Sequence, residues 1–143
     1  MPQVTIISGS PSDRGFVENV EKLLKDFKVS FETYIASAHR HPDKLREIVK
    51  ESNADVFIGI AGLSAALPGV IASHTLKPVI GMPRDVKVLG IDSLLSIAQM
   101  PSGVPVATVG IDNAKNAALL AVEILAIKDE KLKSKLAEYR LNL

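Results

Sequence analysis

A histidine and an arginine stand side by side in the segment Ser37-Ala38-His39-Arg40, between a predicted strand and the helix-starting Pro42. A histidine titrates near neutral pH, so it can give and take protons, and the adjacent arginine supplies a fixed positive charge. Such a pair suits acid–base chemistry on an anionic substrate. An ordinary exposed loop can have the same composition, so the segment alone leaves both interpretations open.

A second candidate segment is the glycine- and serine-rich run from Gly9 to Asp13, which follows the first predicted strand. Backbone N–H groups in a loop that opens a helix, together with the Ser10 and Ser12 hydroxyls, can bind phosphate or ribose oxygens. The Asp13 carboxylate can accept hydrogen bonds from sugar hydroxyls. The same residues also make a turn and a helix cap, for which Ser12 or Asp13 would serve. The run matches neither a P-loop nor a dinucleotide fingerprint, so neither a nucleoside triphosphate nor a dinucleotide is predicted.

The third candidate segment, residues 61–69, is small and apolar and follows another predicted strand. Its glycines, Gly62 and Gly69, allow the backbone to approach a ligand closely. Tight packing of a helix on a strand would use the same small residues, and the two interpretations are compatible.

The elements that must position these segments are strands alternating with helices. Five short apolar runs are predicted as strands: Val4–Ile7, Val29–Ile35, Val56–Ile60, Pro78–Gly81 and Val104–Val109. Between them, apolar residues recur at helical spacing after residues 12–13, after Pro42, and over residues 94–99 and 113–127, while residues 65–74 form a helix or a turn. This order predicts an α/β fold with a parallel sheet. Ligands of such a sheet bind beyond the carboxyl ends of its strands, where all three segments lie.

The length of 143 residues and the uninterrupted pattern predict a single α/β domain over residues 1–128. Residues 129–143 form a charged amphipathic helix outside that pattern, and we expect it to pack on its own domain or on a neighbouring subunit. With 47% hydrophobic but only 4% aromatic residues, the core must be aliphatic.

The amino-acid composition also excludes several classes of binding partner. The 17 basic and 16 acidic residues nearly balance, so no nucleic-acid-binding surface is predicted. The absence of cysteine excludes disulfides and thiolate metal sites. Neither a signal peptide nor a membrane-spanning run is recognised, and we therefore expect a cytoplasmic protein without membrane contact.

In their order and spacing, the three segments resemble the PurE family, which makes carboxyaminoimidazole ribonucleotide. The likeness extends from Val4 to about Ile127 and continues through further motifs, which are Pro78-Val79-Ile80-Gly81, Asp92-Ser93-Leu94-Leu95-Ser96, Gln99-Met100-Pro101-Ser102-Gly103-Val104-Pro105 and Asn116-Ala117-Ala118-Leu119-Leu120-Ala121. The resemblance implies a three-layer flavodoxin-like fold, an octamer with sites built from several subunits, and neither a metal nor an organic cofactor. It also implies that the partners are a ribonucleotide and carbon dioxide or bicarbonate.

The resemblance further implies a role for each candidate residue. His39 becomes the general acid and base, and Ser10, Asp13 and Arg40 hold the ribose phosphate. The remaining members of the implied binding site are Gly9, Ser12, Ser37, Ala38, Gly62, Ser64, Ala66 and Leu67.

Two activities occur in the family, and the sequence has features of both. One moves the carboxyl group of N5-carboxyaminoimidazole ribonucleotide from nitrogen to ring carbon, and the other adds free carbon dioxide to 5-aminoimidazole ribonucleotide. The Ser37–Arg40 motif and the stretch from Pro78 to Ser96 resemble the mutases, in which a histidine is usual at the place of Ala66. Ser64, Ala66 and residues 100–103 instead resemble the direct carboxylases. The direct carboxylases usually carry arginine and asparagine at the places of Leu63 and Ala65, and Arg84, Asp85 and Lys87 match neither pattern. The branch, and the need for a separate ATP-dependent enzyme that supplies the carbamate, therefore stay open at this point.

A non-catalytic nucleotide-binding module on the same fold is the alternative from another functional class, because a fold does not fix a function. Such a module would use the Ser10–Asp13 loop but would leave His39 without a role.

Overall fold

The computed structural model describes all residues from 1 to 143 and contains one fully parallel sheet. Its strands are β1 (Val4–Ser8), β2 (Phe31–Ile35), β3 (Val56–Gly62), β4 (Val79–Arg84) and β5 (Ala107–Thr108). They lie in the order β2-β1-β3-β4-β5, which is the flavodoxin-like order. From β1 the chain crosses to one side of the sheet to form β2, and then to the other side to form β3. A crevice is therefore expected between the carboxyl ends of β1 and β3. The predicted fold class is confirmed.

Six helices cover the two faces of the sheet: α1 (Arg14–Asp26), α2 (Pro42–Glu51), α3 (Leu67–Ser73), α4 (Ile91–Ala98), α5 (Ala114–Ala126) and α6 (Glu130–Leu141). Residues of α1, α5 and α6 form one aliphatic core with β1, β3 and β4. Residues of α2, α3 and α4 form a second core on the opposite face. The result is three layers, in which the central strands are buried on both sides. None of the helices is both long enough and apolar enough to cross a lipid bilayer.

Two strands are shorter than predicted, and each has a local cause. The prediction of a strand over residues 104–109 is wrong at its start, because Pro105 has no N–H to donate to the ladder and pairing begins only at Ala107. The prediction that the second strand begins at Val29 is also wrong. The Val29 N–H donates to the Leu24 carbonyl at 2.9 Å and so closes the end of α1 instead.

The C-terminal helix α6 packs on its own chain. Leu132 is buried in the core beside α5, and the rings of Tyr139 and Phe27 contact each other at a tilt of 56°, with centroids 5.5 Å apart. The Asp129 carboxylate begins the helix by accepting the Leu132 N–H at 3.0 Å. In this protomer the helix therefore covers the end of α1.

Gly81 provides a test of how tightly the second core is packed. A Cβ atom at this position would lie 2.4 Å from Ile97 Cγ2 and 3.2 Å from Pro68 Cβ, so α3 and α4 would have to move. We expect Gly81→Ala to lower the free energy of unfolding by about 1–3 kcal/mol, the usual cost of overpacking. Thermal unfolding at one fixed protein concentration measures the change. Gly15→Ala is the matched control, because no atom lies within 4 Å of a Cβ at this position and alanine favours a helix. An unchanged melting temperature in Gly81→Ala would contradict the packing described here.

Candidate functional site

One cavity of about 460 Å³ opens at the carboxyl ends of β1, β2 and β3. All twelve residues that the sequence nominates line it: Gly9, Ser10, Ser12, Asp13, Ser37, Ala38, His39, Arg40, Gly62, Ser64, Ala66 and Leu67. The four other lining residues are Ala61, Leu63, Ala65 and Val86. The cavity sits at the crevice where the strand order reverses, which is the expected place for a ligand in this topology.

The loop after β1 is held by two hydrogen bonds of Ser10, one with Ser12 and one with Asp13. The Ser10 hydroxyl oxygen accepts the Ser12 N–H at 3.3 Å, and Asp13 Oδ2 accepts the Ser10 N–H at 3.2 Å. Asp13 stands at the cap position of α1, as one of our two expectations had it, but its side chain accepts none of the first N–H groups of that helix. Ser10, whose backbone is extended, caps the single 3-10 turn over Pro11–Asp13 that leads into α1. The arrangement fixes the loop and leaves the hydrogen of the Ser10 hydroxyl free to be donated to a ligand.

The carboxylate of Asp13 pairs with Arg84, the last residue of β4. The guanidinium contacts Asp13 Oδ1, and its carbon lies 4.2 Å from the centroid of the Phe16 ring. Both side chains are nearly buried, with 6% of Asp13 and 14% of Arg84 exposed. The charge of Asp13 is therefore balanced within the protein, although this residue still lines the cavity.

A tight turn after β2 presents His39 and Arg40 to the cavity. The buried Ser37 organises this turn, since its hydroxyl oxygen accepts the Arg40 N–H at 3.2 Å and its carbonyl accepts the His41 N–H at 2.9 Å. Pro42 then begins α2, where its missing N–H costs nothing. His39 and Arg40 are consequently exposed on a backbone that the buried serine holds in place.

The loop after β3 gives the cavity an apolar wall. Ala65 and Leu67 are almost completely buried, at 1% and 2% exposure, and pack into the second core. Leu63 has a positive φ of 57°, and with this left-handed residue the chain leaves β3 before α3 begins. Val86, which the sequence did not nominate, adds a further apolar side chain.

Arg40 is the only arginine or lysine that lines the cavity. Arg84 is paired with Asp13 and is not a lining residue. With Asp13 balanced by Arg84, the net field of the lining residues favours an anion near Arg40. The structure contains no cluster of three or more histidine, aspartate or glutamate side chains that could hold a metal ion.

The residue that sequence reasoning missed here is Arg84. In the sequence, Arg84 matches the pattern of neither the mutases nor the direct carboxylases. A charged residue at the carboxyl end of a buried strand nevertheless indicates a position near a ligand site. Its neighbour Asp85 donates its N–H to Asp112 Oδ1 at 3.0 Å, which ties the chain after β4 to the turn after β5. Lys87 is exposed and does not line the cavity.

Comparison with known proteins gives consistent results. A family model described as AIR carboxylase matches residues 3–143. An N5-carboxyaminoimidazole ribonucleotide mutase of Methanocaldococcus jannaschii is 60% identical over 137 residues, covering 96% of this chain and 87% of the relative. The protein of the same name from Pyrococcus abyssi is 54% identical over 144 residues, covering 98% and 83%. The crystal structure of Treponema denticola PurE superposes with a TM-score of 0.91 at 32% identity, over 99% of this chain and 91% of that one.

Proposed function

This chain belongs to the AIR carboxylase family, and we propose that it is an N5-carboxyaminoimidazole ribonucleotide mutase of purine biosynthesis. One observation carries the proposal: a histidine, an unpaired arginine and a capped serine loop converge on a single cavity with an apolar wall. The names of the two relatives described above favour the mutase over the direct carboxylase. On this proposal the mutase accepts Ala66, although the family resemblance leads one to expect histidine there.

The substrate is an anionic nucleotide, and we assign its phosphate to Arg40 and to the Ser10–Asp13 loop. The planar guanidinium can donate two parallel hydrogen bonds to phosphate oxygens. The Ser10 hydroxyl supplies a further donor, because its oxygen accepts from Ser12 and its own hydrogen is free. The Asp13 carboxylate accepts hydrogen bonds from the ribose hydroxyls. These contacts place the imidazole ring beside Ser37, Ala38 and the loop after β3.

The reaction exchanges a nitrogen–carbon bond for a carbon–carbon bond without net loss of a proton. His39 donates a proton to the exocyclic nitrogen as its bond to the carboxylate breaks, which gives 5-aminoimidazole ribonucleotide and carbon dioxide. The enamine-like ring carbon then attacks carbon dioxide and becomes tetrahedral while it still carries its own proton. His39 accepts that proton, and the ring regains its aromaticity.

Retention of carbon dioxide is the task we assign to the apolar wall. Ala65, Ala66 and Leu67 offer no hydrogen-bonding side chain to water, and carbon dioxide needs none. Holding carbon dioxide against the ring carbon makes the second step effectively unimolecular, an effect that is worth up to about 7–11 kcal/mol in well-aligned intramolecular reactions.

The family resemblance also leads us to propose a homo-octamer in the cytoplasm. Exposed apolar side chains on residues 86–95 support an assembly, since Val88 is 68% and Leu89 76% exposed in the protomer. Light scattering coupled to size-exclusion chromatography measures the assembly directly.

A parallel assay on two substrates tests the mutase proposal. We expect efficient conversion of N5-carboxyaminoimidazole ribonucleotide at low carbon dioxide, and much slower conversion of 5-aminoimidazole ribonucleotide with bicarbonate. Both reactions are followed by the ultraviolet absorbance of the carboxylated product, with the uncatalysed rate subtracted. The His39→Asn variant, prepared in the same way, controls for a contaminating enzyme. Fast conversion of only the second substrate would identify a direct carboxylase instead, and activity on neither substrate would contradict the proposal.

A further inference from the structure

We propose that Arg84 is a positioning residue that fixes the Asp13 carboxylate for recognition of the substrate's ribose hydroxyls. The inference rests on the proposed function, because Asp13 recognises a ribose only if the substrate is a ribonucleotide. Nothing in the sequence pattern predicted this role. The structure assigns it through contacts between segments that are 71 residues apart.

Arg84 contacts Asp13 across the end of β3, where Gly62 has no side chain to obstruct it. Gly62 is the register partner of Arg84 in the sheet, so it lies between the end of β4 and the loop after β1. A Cβ atom on Gly62 would lie 3.2 Å from Arg84 Cβ and 2.6 Å from Val86 Cγ2. The glycine therefore allows an arginine of the fourth strand to contact a carboxylate of the first loop.

Three neighbours determine where the guanidinium lies. It contacts Asp13 Oδ1, its Nε lies 3.5 Å from Asp112 Oδ1 as an ion pair without a hydrogen bond, and its carbon lies 4.2 Å from the Phe16 ring centroid. A lysine could not make all three contacts, because its ammonium group is a compact point charge and not a planar guanidinium with several donors. The arginine is thus held from three sides before any substrate binds.

This fixed arginine orients the carboxylate. Asp13 Oδ1 receives Arg84 and Oδ2 accepts the Ser10 N–H at 3.2 Å, so the plane of the carboxylate is set by two partners. Each carboxylate oxygen has a second lone pair available for a ligand, and Asp13 lines the cavity. Arg84 also balances the negative charge of Asp13, which would otherwise repel a phosphate held by Arg40 in the same cavity.

The test compares the affinities of two nucleotides for two proteins. Calorimetry gives the dissociation constants of 5-aminoimidazole ribonucleotide and of its 2′,3′-dideoxy counterpart for the wild type and for Arg84→Gln. A hydrogen bond to a charged group predicts that the wild type prefers the ribonucleotide by about ten- to a hundredfold. We expect Arg84→Gln to reduce that preference to within about threefold. A general loss of structure would weaken both ligands alike and leave the preference unchanged.

Arg14→Gln is the matched control, because Arg14 is adjacent to Asp13 but forms only an exposed pair with Glu18. This control is expected to keep the full ribose preference. If Arg84→Gln does not fold, Arg84→Lys serves as the test variant, and we expect it to show a reduced preference. A retained preference in the Arg84 variant, or no preference in a wild type that binds the ribonucleotide, would overturn the inference. A wild type that binds neither nucleotide would instead refute the proposed function.

Discussion

Turnover of N5-carboxyaminoimidazole ribonucleotide is expected to fall about 10²–10⁴-fold when His39 is replaced by asparagine, which is the usual contribution of general acid–base catalysis. Asparagine keeps a polar side chain of similar reach but cannot exchange a proton near neutral pH. Because His39 is exposed on a turn that the buried Ser37 organises, the substitution removes no core contact. Binding of 5-aminoimidazole ribonucleotide should therefore change by less than about threefold.

The measurement combines single-turnover kinetics with calorimetric titration of the ribonucleotide. His41→Asn is the matched control, since it lies two residues away in the same turn and is not among the residues that line the cavity. Asparagine also suits its position at the start of α2, so the helix is retained. Near-wild-type turnover in His39→Asn would remove this residue from the mechanism. Equal losses in both variants would mean that the turn, rather than the imidazole, is what the reaction requires.

The convergence of the three segments was predictable because it follows from topology rather than from side-chain detail. In a parallel sheet with helical crossovers, every loop after a strand reaches the same edge. Val4–Ile7 and Val56–Ile60 are runs rich in β-branched residues that lead into glycine-containing loops, so both the strands and the edge could be inferred from the sequence alone. The apolar wall was predictable for the same reason, since Ala65 and Leu67 continue the core pattern.

The contact between Arg84 and Asp13 was not predictable in the same way. It depends on which strands are neighbours, on the missing side chain at Gly62 and on the length of the arginine, and no local pattern contains these facts. Capping by Ser10 rather than Ser12 depends on a single extended backbone conformation. Periodicity likewise placed the C-terminal helix in the sequence but could not show that Leu132 and Tyr139 pack on its own domain.

The second large effect is expected at Arg40, whose replacement by methionine should weaken nucleotide binding by about a hundredfold or more. A bidentate pair makes two charge-assisted hydrogen bonds, each worth about 1.5–3 kcal/mol, and about 1.4 kcal/mol corresponds to a tenfold change in affinity. Methionine keeps an unbranched, flexible stem but has neither the charge nor a hydrogen-bond donor. The Arg40 backbone N–H still donates to the Ser37 hydroxyl oxygen at 3.2 Å, so the turn should persist.

Comparing 5-aminoimidazole ribonucleotide with its riboside, which lacks the phosphate, separates phosphate recognition from other causes of weak binding. If Arg40 holds the phosphate, Arg40→Met should lose affinity for the nucleotide, keep its affinity for the riboside and show a weaker dependence on salt concentration. Arg46→Met is the matched control, because Arg46 lies on α2, forms an exposed pair with Asp43 at 3.6 Å and does not line the cavity. Equal losses for nucleotide and riboside in Arg40→Met would assign the arginine to the ring or the ribose. An unchanged nucleotide affinity would leave the phosphate to the Ser10–Asp13 loop, whose free donor is the uncharged Ser10 hydroxyl.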